Sequence, residues 1–308
     1  MTTTPATTAD PSETVLPAST AMDAVTLHVH DLALMSGYYR QALDLQDLDR
    51  AAAGPVPAAQ APGTSVVVLG RHEVPLVVLV HTPGLPRPRA GEAGLFHTAL
   101  LYPTRADLAA VVARAARHHL SRYVGSADHL VSQAFYFTDP EDNGIELYWD
   151  RPRDQWTHRD GQVQMANDPL DPNAFLRRHL EEDRTGEAGV GHVHLKVGDI
   201  DRARAFYVDA LGFEVRAAWP GALFVAAGGY HHHMAMNTWA SRGAGARAAT
   251  IGLGAVAITV PGRSDLDALA GRLRHHQHPH TDDGRTLRFE DPWLSRIEVT
   301  AHTPAPQD

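Results

Sequence analysis

Histidine is the residue type best suited to chemistry in this 308-residue sequence, with 20 copies against no cysteine. The lack of cysteine excludes disulfides, thiolate metal sites, iron–sulfur clusters and cysteine nucleophiles. Metal or acid–base chemistry must therefore use nitrogen and oxygen donors. Histidines cluster at 192–194, 231–233 and 275–280. Because strand side chains repeat every two residues, a strand through the first cluster places His192 and His194 on one face.

Overall charge and hydropathy exclude several classes of partner. The formal net charge is -9. The chain therefore lacks the excess of basic residues that binds a phosphate backbone, and a nucleic acid partner is not expected. No apolar run reaches the ~18 residues of a membrane helix, so we expect no membrane span. The start of the chain has no basic segment followed by a continuous apolar one, which argues against a signal peptide and favours the cytoplasm. Whether the chain forms a homo-oligomer is left open.

The elements that must hold the histidines repeat along the chain. Residues 27–43 combine an alternating strand, Asp31 and a helical pattern with aromatic and aliphatic residues on one face. The same pattern returns at 195–211 with Asp199 in place of Asp31. Both aspartates are predicted to cap their helices. The histidine-rich stretch 275–280 follows a later helix in polar surroundings, which predicts a flexible surface loop without a catalytic role.

A second unit, 94–108, returns at 252–266, and each copy is followed by a hairpin that begins with Asp-Pro and ends with Ile-Glu. The sequence therefore predicts an α+β fold of four βαβββ modules. The predicted parts of the chain are a disordered tail at 1–21, a first domain with modules one and two at 22–152, a linker with a short helix at 153–188, and a second domain with modules three and four at 189–303.

These modules, with histidines on first strands and Ile-Glu on a last strand, resemble the vicinal oxygen chelate superfamily. It includes glyoxalase I, fosfomycin resistance enzymes, bleomycin-binding proteins and extradiol dioxygenases, and the sequence is most similar to its two-domain catechol-2,3-dioxygenase-like members. The motifs that carry the resemblance lie at 94–97, 128–132, 138–146, 191–195 and 228–233. The resemblance covers residues 22–303 and implies two domains with curved, mostly antiparallel sheets.

The resemblance implies a metal in a cleft between two modules, bound from first and last strands. Module two offers His97 on its first strand and Glu146 on its last, and module three offers His192 on its first strand. At the matching first-strand positions, modules one and four have Ala24 and Ala255. We therefore expect modules two and three to form the metal cleft, and modules one and four to form a metal-free pair.

One alternative pairs each half of the chain with itself. The second half would then use His192, a histidine from 231–233, and Glu298. In the favoured arrangement, His97, His192 and Glu146 supply two neutral imidazoles and one carboxylate, a facial triad typical of non-haem Fe(II). Fe(II) is therefore the expected cofactor, with Mn, Zn or Ni as alternatives.

The resemblance also assigns an acid–base residue beside the metal. His232 is the aligned choice, while His231 and His233 remain alternatives on the same segment. Alternation along a strand would send His232 to one face and the other two to the opposite face. The acid–base role therefore depends on which face meets the cleft.

Further site residues follow from the same resemblance. Tyr136 matches a tyrosine that hydrogen-bonds a substrate oxygen, and His129 lies in a loop that closes over the substrate and could shuttle a proton. His194, His231 and Met234 are predicted to contact the substrate.

The function implied is extradiol ring cleavage of catechol or a substituted catechol with Fe(II) and O2. The partners expected are accordingly a small aromatic diol and O2. Two alternatives are a non-redox metalloenzyme of the glyoxalase type, a lyase or isomerase, and a metal-free resistance protein that binds an aromatic drug. Dependence on a metal distinguishes the metal-free resistance protein from the dioxygenase and the non-redox metalloenzyme.

Overall fold

The structure is a computed structural model that describes residues 15–50, 63–181 and 186–302. The elements of the first half are β1 (Ala21–Met22), β2 (Val25–Val29), α1 (Leu32–Leu43), β3 (Gln46–Leu48), β4 (Ser65–Arg71), β5 (Val74–His81), β6 (Gly94–Leu101), α2 (Arg105–Arg117), β7 (Arg122–Asp128), β8 (Ser132–Thr138) and β9 (Gly144–Asp150). A connecting segment follows, with a 3-10 turn at Arg153–Gln155, β10 (His158–Arg159), β11 (Gln162–Val163), β12 (Asp168–Pro169) and α3 (Pro172–His179).

The second half repeats the order of the first. Its elements are β13 (Gly189–Lys196), α4 (Ile200–Arg204) with a π-helical continuation at Ala205–Ala210, β14 (Glu214–Trp219), β15 (Ala222–Ala226), β16 (Met234–Asn237), β17 (Gly252–Val260), α5 (Arg263–His275), β18 (His280–Asp282), β19 (Thr286–Glu290) and β20 (Arg296–Ala301). Four strand–helix–strand–strand–strand modules are thus present, and the predicted α+β class is confirmed. None of the helices in the described stretches is long and apolar enough to cross a membrane.

Two nine-stranded sheets combine the modules across the halves of the chain. Sheet I has the order β18-β19-β20-β17-β2-β5-β4-β3, with β1 paired to β17, and unites modules four and one. Sheet II has the order β12-β7-β8-β9-β6-β13-β16-β15-β14 and unites modules two and three. The pairing expected from the alanines at first-strand positions is therefore confirmed.

The two faces of sheet II differ in what they bury. On β8, Phe135 and Phe137 point into the main core, where they join Leu108 and Val111 of α2. The alternate residue Tyr136 packs on the other face of the sheet. Because a strand sends successive side chains to opposite faces, this core fixes which residues of each strand line the concave face.

Local capping signals in the sequence agree with the helices observed. The Asp31 carboxylate accepts a hydrogen bond of 2.9 Å from the backbone N–H of Leu34. In the second copy the Asp199 carboxylate accepts one of 2.7 Å from the N–H of Arg202. Both predicted caps are confirmed, and each satisfies a backbone donor that the first helical turn leaves free.

Two predicted boundaries differ from the structure. Most of the predicted tail at 1–21 lies outside the described residues, but its last part is packed: Leu16 is buried, its N–H donates to the Gly212 carbonyl, and β1 pairs with β17. The segment at 153–188 contains the expected short helix, but it also adds β12 to sheet II. Apolar residues such as Leu16 make these stretches part of the fold.

Candidate active site

Three side chains from modules two and three converge on the concave face of sheet II. Nε2 of His97 lies 2.9 Å from Oε2 of Glu146, and Nε2 of His192 lies 3.2 Å from the same oxygen. The side chains are buried, with 6%, 1% and 3% of the surface of His97, His192 and Glu146 exposed. Among the described residues they form a group whose ligand atoms all lie within 4.8 Å of one another.

Strand register explains why these three side chains meet. Ala99 on β6 is paired with His192 on β13 at one side and with Glu146 on β9 at the other. His97 lies two residues before Ala99 and therefore shares its face. The side chain of Ala99 is small and fully buried, so the space between the imidazole and the carboxylate stays open.

A close approach at Gly191 brings His192 into position. The register of β13 against β6 is shifted between Val190 and His192, which indicates a β-bulge. A Cβ on Gly191 would collide with the hydroxyl oxygen of Tyr148. Only glycine allows the strand to pass this close to Tyr148, which is itself in ring contact with His192.

The protonation states suit a cation. Burial alone raises the pKa of the Glu146 carboxyl, but the neighbouring His192 and His97 hold it well below its usual range. Burial lowers the pKa of His192 to about 4, despite the opposing charge of Glu146. A charged carboxylate next to a neutral imidazole is the state in which both groups act as metal ligands.

The residues present fit a divalent metal ion. Nε2 of His97 is buried, lies near the carboxylate, and makes no hydrogen bond of acceptable geometry. A buried nitrogen without such a partner is costly unless something else binds it. Two imidazoles and one carboxylate are donors that Fe(II), Mn, Zn and Ni all accept.

The alternative site within the second half is not assembled. Glu298 lies in sheet I, where its Oε1 is 3.0 Å from Nε of Arg296 and 3.8 Å from Nε of Arg288. His192 instead meets Glu146 in sheet II. The combination of His192 with Glu298 is therefore corrected, because strand pairing carries the two residues into different sheets.

A cavity of about 460 Å³ opens over the converging side chains. His97 and Glu146 contribute to its inner end, together with Tyr136, His129 and His232. Its walls are apolar and aromatic: Phe96, Val124, Met165, Trp219, Phe224 and Trp239. The size and the mixture of a few polar groups with apolar walls are typical of small-molecule sites.

Tyr136 and His129 form a hydrogen-bonded pair at the cavity. Tyr136 is the cross-strand partner of Glu146, and its hydroxyl lies 2.6 Å from Nε2 of His129. Nδ1 of His129 lies 2.7 Å from the Ala166 carbonyl oxygen, which can only accept. In a neutral His129 the proton is thus on Nδ1, and Nε2 accepts from Tyr136. Burial, and then the charge of Glu146, raises the pKa of Tyr136 well above its usual value.

The three histidines at 231–233 have different environments. His232 lines the cavity, and its ring centroid lies 4.0 Å from that of His192. His231 is fully buried, and Nδ1 of His233 accepts a hydrogen bond from the backbone N–H of Ala227. Among these three, His232 is the one whose ring reaches the cavity. Its pKa is held well below the usual value by burial and then by His192.

His232 is the end of a buried hydrogen-bonded chain that the sequence did not reveal. Its Nδ1 lies 2.7 Å from Nδ1 of His231, whose Nε2 lies 2.8 Å from Oδ1 of Asp150. Tyr230 donates to Oδ2 of Asp150 at 2.7 Å, and its oxygen lies 2.8 Å from the Tyr148 hydroxyl. Tyr148 and Asp150 follow Glu146 at intervals of two along β9, which is the signal that could have placed them on the same face.

The predicted substrate contacts divide into one that lines the cavity and two that do not. His194 lines it, and its Nε2 accepts a 2.9 Å hydrogen bond from the Asn237 side-chain amide. Met234 is fully buried in the main core, and His231 is held between Asp150 and His232. Direct substrate contact does not fit Met234 or His231, because both are fully buried and neither lines the cavity.

Several lining residues were not identified from the sequence. Met165 and Asn167 come from the connecting segment, Trp219 and Phe224 from β14 and β15, and Trp239 from the turn after β16. The stretch at 275–280, in contrast, runs from the end of α5 to the first residue of β18 in sheet I and does not line this cavity. Loops and connecting segments carry no periodic signal that would assign them to a wall.

Comparison with known proteins gives matches over most of the chain. A family model described as "Glyoxalase/Bleomycin resistance protein/Dioxygenase superfamily" matches residues 21–147 and 189–299. The chain is 37% identical over 225 residues to a protein of Bacillus subtilis (strain 168) named "Catechol-2,3-dioxygenase", a match that covers 70% of this chain and 78% of that protein.

Solved structures show the same fold at low sequence identity. A putative dioxygenase from Bacillus subtilis subsp. subtilis str. 168 gives a TM-score of 0.64 at 13% identity and covers 92% of this chain and 86% of that one. Glyoxalase I from Zea mays gives a TM-score of 0.56 at 16% identity, with 92% of both chains covered. At these identities the likeness concerns the arrangement of modules.

Proposed function

The chain belongs to the Glyoxalase/Bleomycin resistance protein/Dioxygenase superfamily, and on that premise we propose that it is an extradiol dioxygenase that opens the ring of catechol or a substituted catechol with Fe(II) and O2. The observation that carries the proposal is the buried convergence of His97, His192 and Glu146, of which His97 and Glu146 line an aromatic-walled cavity. The Bacillus subtilis relative named catechol-2,3-dioxygenase supports the reaction class.

His97, His192 and Glu146 would hold the metal. A bound Fe(II) would supply Lewis acidity towards the diol and a means of activating O2. Because Glu146 is buried away from water, a bound metal would offset its charge.

His232 and the pair formed by Tyr136 and His129 would handle protons and substrate oxygens. The neutral His232 ring faces the cavity next to His192 and can accept a proton from a substrate hydroxyl and return it later. Tyr136 is kept protonated by its raised pKa, so its hydroxyl can donate a hydrogen bond to a substrate oxygen if it turns from His129. His129, whose Nδ1 stays bonded to the Ala166 carbonyl, then has an Nε2 that can accept a hydrogen bond from a substrate hydroxyl.

Metal reconstitution tests the proposed function. Protein purified without oxygen and stripped with a chelator is loaded with Fe(II), Mn, Zn or Ni, and each sample is mixed with a panel of catechols in air. We expect Fe(II) to restore both O2 uptake and a yellow ring-opened semialdehyde. Metal-loaded protein that neither takes up O2 nor changes colour with any catechol would contradict the proposal.

A further inference from the structure

The outer part of the cavity in sheet II differs sharply from its inner end. The buried end carries the carboxylate and imidazoles, with Phe224 against His194 and His232, whereas the exposed side chains of Phe96, Trp239 and Val124 form the outer walls. The volume of about 460 Å³ lies in the range that holds drug-sized ligands, roughly 300–1000 Å³. A diol ring bound at the inner end therefore leaves room for a substituent along these walls.

Large apolar side chains are also exposed around the mouth of this cavity. Val124, Trp239 and Phe96 expose 63%, 51% and 36% of their surface, respectively. The rings of Phe96 and Trp239 contact one another, and both contact His194. A cluster of exposed apolar groups around one opening usually marks a surface that an apolar ligand covers.

Positive charge is missing from the cavity wall. Among the described residues that line it, none is lysine or arginine, and Glu146 is the one acid. Arg151 follows β9 closely, but its guanidinium donates to both carboxylate oxygens of Asp128, at 2.9 and 2.7 Å. A carboxylate on the part of the substrate that lies away from the metal would therefore lose water without gaining a cationic side chain as a partner.

We infer that the substrate is a catechol with an uncharged apolar substituent, alkyl or aryl, and that catechols bearing a carboxylate are discriminated against. The inference rests on the proposed function for the diol end of the molecule. The part concerning the substituent depends only on the aromatic walls and on their lack of a cation. Trp239 lines the cavity and is half exposed, so a change there alters the surroundings of such a substituent.

Matched pairs of catechols test the inference. 3,4-Dihydroxyphenylacetate is compared with its methyl ester and with 4-propylcatechol, and 2,3-dihydroxybenzoate with its methyl ester, because the pairs differ in charge more than in size. Binding to the Fe(II)-loaded enzyme without O2 is followed by tryptophan fluorescence, since Trp219 and Trp239 line the cavity. Ring opening in air then gives kcat/KM for each compound.

We expect the esters and the alkylcatechol to bind, and to be cleaved, at least about tenfold better than the acids. Trp239→Lys should improve binding of the acids and weaken that of the esters, whereas Trp239→Gln should weaken both classes without favouring the acids. Leu34→Lys adds the same charge on α1, at an exposed position outside the cavity lining, and should leave the preference unchanged.

Acids that bind and react as well as their esters in the unmodified enzyme would overturn the inference while leaving ring cleavage intact. Tighter binding of the esters without ring opening of any compound would support the inference and contradict the proposed reaction. The two failures are therefore distinguishable.

Discussion

Sheets I and II repeat the same arrangement of modules, but the side chains around the matched carboxylates on their concave faces differ. In sheet II, Glu146 is paired across the hairpin with Tyr136 and meets two histidines. In sheet I the matching carboxylate, Glu298, is paired with Arg288, and Ala24 and Ala255 stand at the positions of His192 and His97. The carboxylate is thus a repeated feature of the module, and the histidines are what turn it into a candidate metal site.

The way each carboxylate is compensated differs as well. Burial raises the pKa of Glu298, with Arg296 and Arg288 opposing that effect. Next to them, Val68, Val78 and Val80 pack with Ala24 into an aliphatic cluster. Sheet I therefore closes its concave face with aliphatic packing and ion pairs, while sheet II keeps a cavity.

What the two halves share is structural. The Tyr39 hydroxyl donates to Oδ2 of Asp139 at 3.0 Å, and the Tyr207 hydroxyl donates to Oδ2 of Asp291 at the same distance. In each half the other carboxylate oxygen accepts two backbone N–H groups of the hairpin turn. The tyrosine–aspartate pair kept in both copies holds the modules together, whereas the histidines present in one copy belong to the candidate active site.

The largest contrast is expected for the two matched glutamates. Glu146→Gln removes the charge that two neutral imidazoles cannot replace, so bound Fe(II) and ring-opening activity should fall by a factor on the order of 100 or more. Glu298→Gln should leave both unchanged, because Glu298 faces arginines. Iron content and O2 uptake measure the effect; equal losses in both variants would refute a site confined to sheet II.

A second contrast concerns the small residues beside these carboxylates. Ala99→Leu fills the space between His192 and Glu146, and Ala257→Leu changes the matching partner of Glu298. We expect the first variant to lose most Fe(II) binding. Its free energy of unfolding should be lower by about 1–3 kcal/mol. The second should bind Fe(II) normally. Titration with Fe(II) and urea denaturation test this, and normal iron binding by Ala99→Leu would contradict the geometry of the site.

A third, smaller effect is expected when the chain of hydrogen bonds that ends at His232 is disrupted. The Asp150 carboxylate can only accept, so Nε2 of a neutral His231 carries the proton, and Nδ1 of His231 accepts from Nδ1 of His232. This leaves Nε2 of His232 free of a proton and able to act as a base. Sheet I has Val74 and Pro75 at the positions of His231 and His232 and lacks this chain.

Asp150→Asn no longer imposes that tautomer, because an amide can also donate. We expect kcat to fall about 10–100-fold, with iron content and substrate affinity nearly unchanged. Asp154→Asn, at a nearby exposed position, is the control. A loss of iron or of substrate affinity in parallel with kcat would indicate that Asp150 supports the structure rather than orients His232.

The smallest effect is expected from removing the repeated tyrosine hydroxyls, and it should be equal in both halves of the chain. Tyr39→Phe and Tyr207→Phe each remove one buried hydrogen bond, which should lower the free energy of unfolding by about 1 kcal/mol in each case. Iron content and activity should remain at the level of the unmodified protein. Unfolding in urea with iron analysis measures both, and a selective loss of activity in either variant would show that the repeated tyrosines do more than hold the modules.

The sequence by itself determined the modules and the residues brought together at the candidate metal site. The internal repeat located the first and last strands, the family resemblance implied that metal ligands come from these strands, and alanine at two first-strand positions left only modules two and three with that donor set. This worked because the alternation of side chains is a local property of a strand, which a sequence pattern expresses directly.

Tertiary structure alone decided what surrounds that site. The link from Asp150 through His231 to His232, the contribution of Met165 and Asn167, and the burial of Met234 in the core all depend on how separate segments pack. Contacts between segments far apart in the chain follow from the conformation of loops and the fit of side chains, which no periodicity records. The choice among the three consecutive histidines was therefore made by the fold, which turned one ring towards the cavity and enclosed its neighbours.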